Sequence, residues 1–204
     1  MKRYVDDFES KLFKIEFNTL EESKYSIYCI SEDLKLIYVN PTWINFAKEN
    51  GATKAFLNNI PLENPITKGI YGKNIKNFYT ENYLKVFKTG KPWRHEYECS
   101  TINEFRKFQQ DTYPIKDGSI LVIKNTLTIQ LPIEKVGRIE FKAIKKRYTN
   151  TNGFVTQCSN CRCTQRAIEA DVWDWVPDWI ENIPKNFSHS ICPICFDYYW
   201  KNNS

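Results

Sequence analysis

The sequence predicts an α+β chain: a five-stranded antiparallel sheet with its helices on one face, followed by a small C-terminal module organised by cysteines. Two observations carry this. Two short β-rich runs precede a helical region and three strand-like runs follow it, an order that fits one antiparallel sheet covered by helices. Beyond residue 153 the chain changes character, and two CxxC units appear, separated by 30 residues.

Residues 3–15 place Tyr4, Phe8, Leu12 and Ile15 at near-helical spacing among charged residues, which predicts an amphipathic helix within residues 1–23 that serves as a lid or a dimer contact. The runs SIYCIS and LKLIYVN flank Glu32-Asp33 as a hairpin would. Pro41 opens a helix that Gly51 stops, and residues 52–72, rich in Asn, Pro and Gly, read as loop with short helical turns. A longer helix is expected from Ile75 to Thr89, with Ile75, Phe78, Tyr83 and Phe87 inward and Gly90 as its stop.

The run WRHEYECS alternates a charged with an aromatic face and reads as a strand. Strands at 103–114 and 119–130 follow, joined by the turn Lys116-Asp117-Gly118. Residues 131–153 predict a helical connector that packs Phe141, Ile144 and Tyr148 on one side. The expected organisation is therefore an N-terminal helix at 1–23, a sheet domain at 24–130, the connector at 131–153 and a cysteine-rich module at 154–204.

Composition narrows the function classes. Hydrophobic residues make up 42% and charged residues 26%, which excludes a disordered or collagen-like chain. No apolar run is long enough to span a bilayer, and MKRYVDDFESKLFK carries acids where a signal peptide would be apolar, so a cytoplasmic protein is expected. The formal charge of +5 is mild, and the one dense basic run is Lys142, Lys145, Lys146 and Arg147.

The strongest chemical signal is Cys158-x-x-Cys161 with Cys192-Pro-x-Cys195. A tetrahedral zinc takes four such ligands, and each CxxC turn converges two thiolates while its backbone amides donate to sulfur. A module this short buries little core, so the metal supplies much of its folding free energy. Zinc is favoured over an iron–sulfur cluster or unmetallated thiols. Two residues keep the ligand set open: His189, three positions before Cys192, as an alternate ligand, and Cys163, whose plainer reading is a small buried residue. Four protein ligands leave no open coordination position, so the metal is structural. The tryptophans of WDWVPDWIENIP read as a compact aromatic core in preference to a binding platform.

These residues resemble a known family. LKLIYVNPTWINFAKENG looks like the second strand and first helix of bacterial PAS sensor domains, and GKNIKNFYTENYLKVFKTGKPWRHEYECS like their long helix and following strand, a resemblance covering residues 24–130. GKPWRHEYECST, FRKF, CSNCR, WDWVP, FSHSICPIC and YYW together are similar to bacterial proteins that join a PAS domain to a cysteine-rich tail. The resemblance implies a PAS-like fold with a cavity between sheet and helices, a sensory or dimerising role as a homodimer, and a ligand that differs from member to member. Asn160-Cys161-Arg162-Cys163-Thr164-Gln165 superficially echoes the flavin-bonding motif of photoreceptor PAS domains, but it lies after the last strand and Cys161 is needed for metal.

Alternation places His95 with Tyr97 and Cys99 on the core side of their strand, and Gln110 inward on the next, so these four are the candidate lining of a small polar pocket. The alternative is that His95 is a core histidine hydrogen-bonded to Gln110 or Tyr97. No nucleophile, base and orienting group form a recognisable motif. The expected function is a non-enzymatic signalling protein whose PAS domain senses a ligand or dimerises and whose zinc-stabilised tail meets a protein partner. A nucleic-acid-binding regulator is the alternative, against which stands a charge of only about +2 from residue 133 onward.

Overall fold

The computed structural model describes residues 1–12, 14–70, 72–115 and 118–201 of the 204. Lys116 and Asp117 of the expected turn, and the side chain of Ile15, lie outside the described residues. The chain divides into two compact units. The first comprises Met1–Gly69, Tyr79–His95 and Gln109–Thr126; the second comprises Ile70–Phe78, Glu96–Phe108 and Leu127–Ser204.

The predicted sheet is formed. Its strands are β1 (Ser26–Ser31), β2 (Leu36–Val39), β3 (Trp93–Glu98), β4 (Glu104–Ile115) and β5 (Ile120–Pro132), in the spatial order β2-β1-β5-β4-β3. β1 runs antiparallel to β2 and to β5, with a register shift opposite β2 between Cys29 and Ile30. The helices are α1 (Lys14–Glu21), α2 (Pro41–Glu49), α3 (Lys54–Asn58) and α4 (Lys73–Thr89). Pro41 sits at the first turn of α2, and its cap is Asn40, whose side chain accepts from Trp43 N at 2.8 Å and from Ile27 N at 3.0 Å while donating to Tyr25 O at 2.9 Å. That fully buried amide ties the helix start to β1, and none of its hydrogen-bonding capacity is wasted.

Within the first unit each face of the sheet has its own core. Ile30, Leu121 and Ile123 pack with Tyr83 and Val86 of α4, and Leu36 and Val39 pack with Ile44 and Leu57 of α2 and α3. The opposite face, carrying Ile27, Cys29, Tyr38 and Val122, is covered by Phe8, Leu12 and Leu20. The N-terminal segment is thus a lid on the sheet, but not as the helix expected over 3–15. Residues 3–5 lie extended beside β2, with Val5 N donating to Ile37 O at 3.1 Å and Val39 N to Arg3 O at 2.9 Å. A short 3-10 turn at Glu9–Lys11 and then α1 follow. Backbone bonds along β2 outcompete local helix formation there, because a helix this short gains little without tertiary packing. Phe8 stacks on Tyr38 with centroids 4.6 Å apart, and Arg3 forks onto Glu21 with two bonds of 2.7 Å.

The second unit carries a second sheet that the pattern reading did not anticipate. Strands β6 (Val155–Cys158), β7 (Thr164–Gln165), β8 (Trp173–Asp174) and β9 (Phe187–Ser190) run in the order β8-β7-β6-β9, with β6 and β9 parallel. Two of these strands have only two residues, too short for alternation to register. The helical connector predicted at 131–153 does not form. Only a 3-10 turn at Ile133–Val136 and one helical turn, α5 (Lys145–Tyr148), are helical, because Gly137 in the left-handed region ends the first. Phe141 N instead bonds Trp175 O at 2.9 Å. Tyr148, Val155, Val176 and Trp179 form a small core and Trp175 is buried too, so two of the three tryptophans pack inward as the aromatic-core reading holds, while Trp173 is half-buried. The remaining helices are α6 (Asp178–Glu181) and α7 (Pro193–Lys201).

Candidate metal centre

The two CxxC units are presented by different devices. Cys158 ends β6, and the chain then turns sharply: Arg162 N bonds Cys158 O at 3.2 Å, Cys158 N bonds Cys163 O at 2.8 Å, and Arg162 sits at φ 65°. Cys192 and Cys195 flank Pro193 at the start of α7, where Phe196 N already bonds Cys192 O at 2.8 Å. The parallel pairing of β6 with β9, which sets Cys158 opposite Ser190, brings the second pair alongside the first.

The sulfurs of Cys158, Cys161, Cys192 and Cys195 all lie within 4.8 Å of one another, and all four residues are buried. Those of Cys161 and Cys192 are 3.7 Å apart. A tetrahedral ion with metal–sulfur bonds of about 2.3 Å spaces its sulfurs by roughly 3.8 Å, so the set is the right size to hold one metal ion. All seven cysteines are free thiols. Backbone amides aim at the sulfurs, Cys192 N at Cys158 Sγ (3.4 Å) and Cys195 N at Cys192 Sγ (3.5 Å). Hydrogen bonds from the thiols of Cys161, Cys192 and Cys195, and from the Cys192 amide, favour the thiolate at Cys158. His189 stands in β9, its ring 5.1 Å from that of Phe187, and Cys163 is half-buried; neither belongs to the converging group.

A supporting layer surrounds the sulfurs. Asn160, inside the first knuckle, donates from Nδ2 to Cys195 Sγ at 3.2 Å, and its Oδ1 accepts from Glu98 N and from Tyr199 OH, both at 3.0 Å. Arg138 donates to Cys161 O at 3.3 Å and to Glu98 Oε2 at 2.7 Å, and lies 4.8 Å from the Trp175 ring. Gly72, at φ 91°, approaches the knuckle closely: a Cβ there would stand 3.2 Å from Ser159 Oγ and 3.5 Å from His189 O. Tyr199 packs edge-on against Phe78, with centroids 4.6 Å apart.

The four candidate pocket residues fall in both units. His95 and Gln110 belong to the first. His95 is 5% exposed, stacks on Trp93 at 4.3 Å and shares a 3.0 Å hydrogen bond through Nε2 with Tyr79 OH. Burial pushes its pKa down to about 3, which keeps the ring neutral at physiological pH. Gln110 donates to Tyr83 OH at 3.0 Å, and Tyr83 OH in turn meets Tyr28 OH at 3.0 Å. Tyr97 and Cys99 belong to the second unit, where Tyr97 stacks on Phe108 with centroids 5.5 Å apart and Cys99 is half-buried. Tyr79 of α4 is thus a hydrogen-bond partner of His95 that the core-histidine reading did not name.

No family model and no curated protein matches this chain. Solved structures do. The chain is similar to the PAS domain of Bordetella pertussis BvgS at 15% identity and TM-score 0.42, covering 60% of this chain and 90% of that one. It is similar to the PAS domain of the HTR-like protein from Haloarcula marismortui at 12% and 0.38, covering 56% and 96%. A third is a domain of the sensory box sensor histidine kinase/response regulator from Geobacter sulfurreducens, at 16% and 0.37, covering 54% and 90%.

Sequence reasoning passed over Asn160, Arg138, Glu98 and Gly72. Asn160 carried a usable signal, because a side-chain amide inside a CxxC turn is well placed to donate to sulfur. Arg138, Glu98 and Gly72 are remote in sequence from both knuckles, and only the fold brings them there. Among the described residues no helix is long and apolar enough to cross a membrane.

Proposed function

We propose that this chain is a non-enzymatic cytosolic signalling protein in which a PAS-like domain senses a ligand or mediates dimerisation and a zinc-stabilised tail mediates interaction with a partner. The observation that carries the reading is the closed set of four buried sulfurs. Four thiolates fill a tetrahedral zinc and leave no position for water or substrate, which supports a structural metal and argues against metal catalysis. Zinc fits the borderline-soft donor set and the single-ion spacing; a cluster would spread its sulfurs over several iron atoms.

The test is metal analysis, a visible spectrum and native mass spectrometry on protein purified without added metal. One zinc per chain, no colour and a two-chain species are expected. Iron with visible absorbance overturns the zinc assignment and replaces the reading with a redox or gas sensor.

A second reading, a nucleic-acid-binding regulator, is favoured by one observation: Lys142, Lys145, Lys146 and Arg147 are all exposed. A gel shift that weakens steeply with salt would establish it, and no shift at low salt would remove it.

A further inference from the structure

Beside the cysteine cluster, wholly within the second unit, lies a cavity of about 390 Å³. Cys161, Cys192 and Cys195 form part of its wall, and Tyr97, Trp173 and Tyr198 supply three aromatic rings. The volume suits a small organic molecule. Its charges are unevenly matched. Arg138 is neutralised by Glu98 at 2.7 Å, with side chains only 18% and 9% exposed, and Lys107 lies 3.3 Å from Glu96. Asp171, also on the wall, leaves the lining with one acidic charge in excess, from three carboxylates against two cations. On the metal reading proposed above, on which this part of the argument rests, a zinc with four thiolates adds a further formal charge of about −2.

Aromatic rings, the exposed carboxylate of Asp171 at the rim and a thiolate-rich wall all attract positive charge. The protein already provides an internal example: the Lys107 ammonium lies 6.0 Å from the centroid of the Tyr198 ring while pairing with Glu96. We propose that this cavity binds a small organic cation, an amine or quaternary ammonium compound with an apolar body, its charged head met by Trp173 and Asp171. The tail would then be a ligand-binding module in its own right, with the metal centre as one wall of the site. Ligand occupancy would also brace the knuckles, since Cys161, Cys192 and Cys195 belong to both.

The experiment uses the full chain and two probes of similar shape, 2-phenylethylamine and the neutral 2-phenylethanol, in isothermal titration at low ionic strength, with zinc content measured on the same sample. The amine is expected to bind at least tenfold more tightly than the alcohol. Trp173→Leu and Asp171→Asn, checked for unchanged melting temperature and metal content, are each expected to weaken the amine about tenfold. Equal binding of the two probes, no binding of either, or unchanged amine affinity in both variants overturns the proposal. Zinc content reports on the metal reading separately: protein without metal sinks that reading, while the amine-to-alcohol ratio still decides the cation site.

Discussion

Asn160 Nδ2 stands 3.2 Å from Cys195 Sγ, so the side chain of the first knuckle donates directly to a sulfur of the second. Its carbonyl end is held by Glu98 N and Tyr199 OH, which fixes which end of the amide faces sulfur. Asn160→Ala should leave the four ligands in place yet weaken metal retention about 10- to 100-fold, the range typical of lost supporting contacts. Competition with a graded chelator measures this, and unchanged retention would show the contact to be incidental.

The ligand assignment makes a sharper contrast. Cys192→Ser should lose the metal and with it the ordered second sheet, since structural zinc contributes on the order of 10 kcal/mol. Cys163→Ser and His189→Ala should each keep one metal per chain, because neither residue joins the converging group. Metal content with far-ultraviolet circular dichroism checks all three.

Gly72 is held at φ 91° with the knuckle 3.2 Å from where a Cβ would be. Gly72→Ala combines backbone strain with a contact against Ser159, and should cost about 1–2 kcal/mol. Gly51, also at positive φ but with nothing within 4 Å of where its Cβ would stand, isolates the backbone part: Gly51→Ala should cost less. Chemical denaturation of the two variants compares them.

His95 gives a pH dependence of defined sign. Its pKa falls from 6.5 to about 3 on folding, so between those values the unfolded chain binds a proton that the folded chain does not. Stability therefore declines as pH drops below about 6.5, by about 1 kcal/mol per pH unit. Between pH 6 and 5, where most carboxylates remain ionised, His95→Phe should show a shallower decline than the parent protein. Parallel slopes would mean that His95 is protonated in the folded state.

Asp174 acts at lower pH. Its carboxylate is 5% exposed, bound by Arg166 at 2.7 Å and by Tyr148 OH at 2.8 Å. Burial raises its pKa, but the bonds from Arg166 and Tyr148 outweigh that and hold it below the usual carboxylate value. Its contribution is present above about pH 4 and is lost as pH falls through the folded-state pKa. Asp174→Asn leaves Arg166 short of a partner beside the small core of the tail and should cost about 3 kcal/mol at neutral pH. Thermal melts from pH 7 down to pH 3 should show the gap between variant and parent narrowing as pH falls below about 4, and a gap that stays constant would show that Asp174 does not titrate with the pair.

Local pattern determined a large part of this protein. Alternation in WRHEYECS, the stops at Gly51 and Gly90, and Pro41 at a helix start are short-range signals, and β3, α2 and α4 form where those signals lie. The spacing of Cys158, Cys161, Cys192 and Cys195 pointed to the four sulfurs that converge, with His189 left as an alternate, because a CxxC turn converges two sulfurs by its own geometry. What tertiary structure decided was everything whose energy comes from distant partners. Residues 3–5 lie extended along β2 because its edge offers them backbone hydrogen bonds, although their spacing with Phe8 and Leu12 suits a helix. Residues 131–153 avoid a helix where Phe141 finds Trp175. β7 and β8 are strands only by virtue of the sheet that β6 begins, and Arg138, Glu98 and Gly72 reach the cysteine cluster across long stretches of sequence. Periodicity reports the energy of a residue against its near neighbours; the supporting layer of a metal site is set by contacts that exist only once the chain has closed on itself.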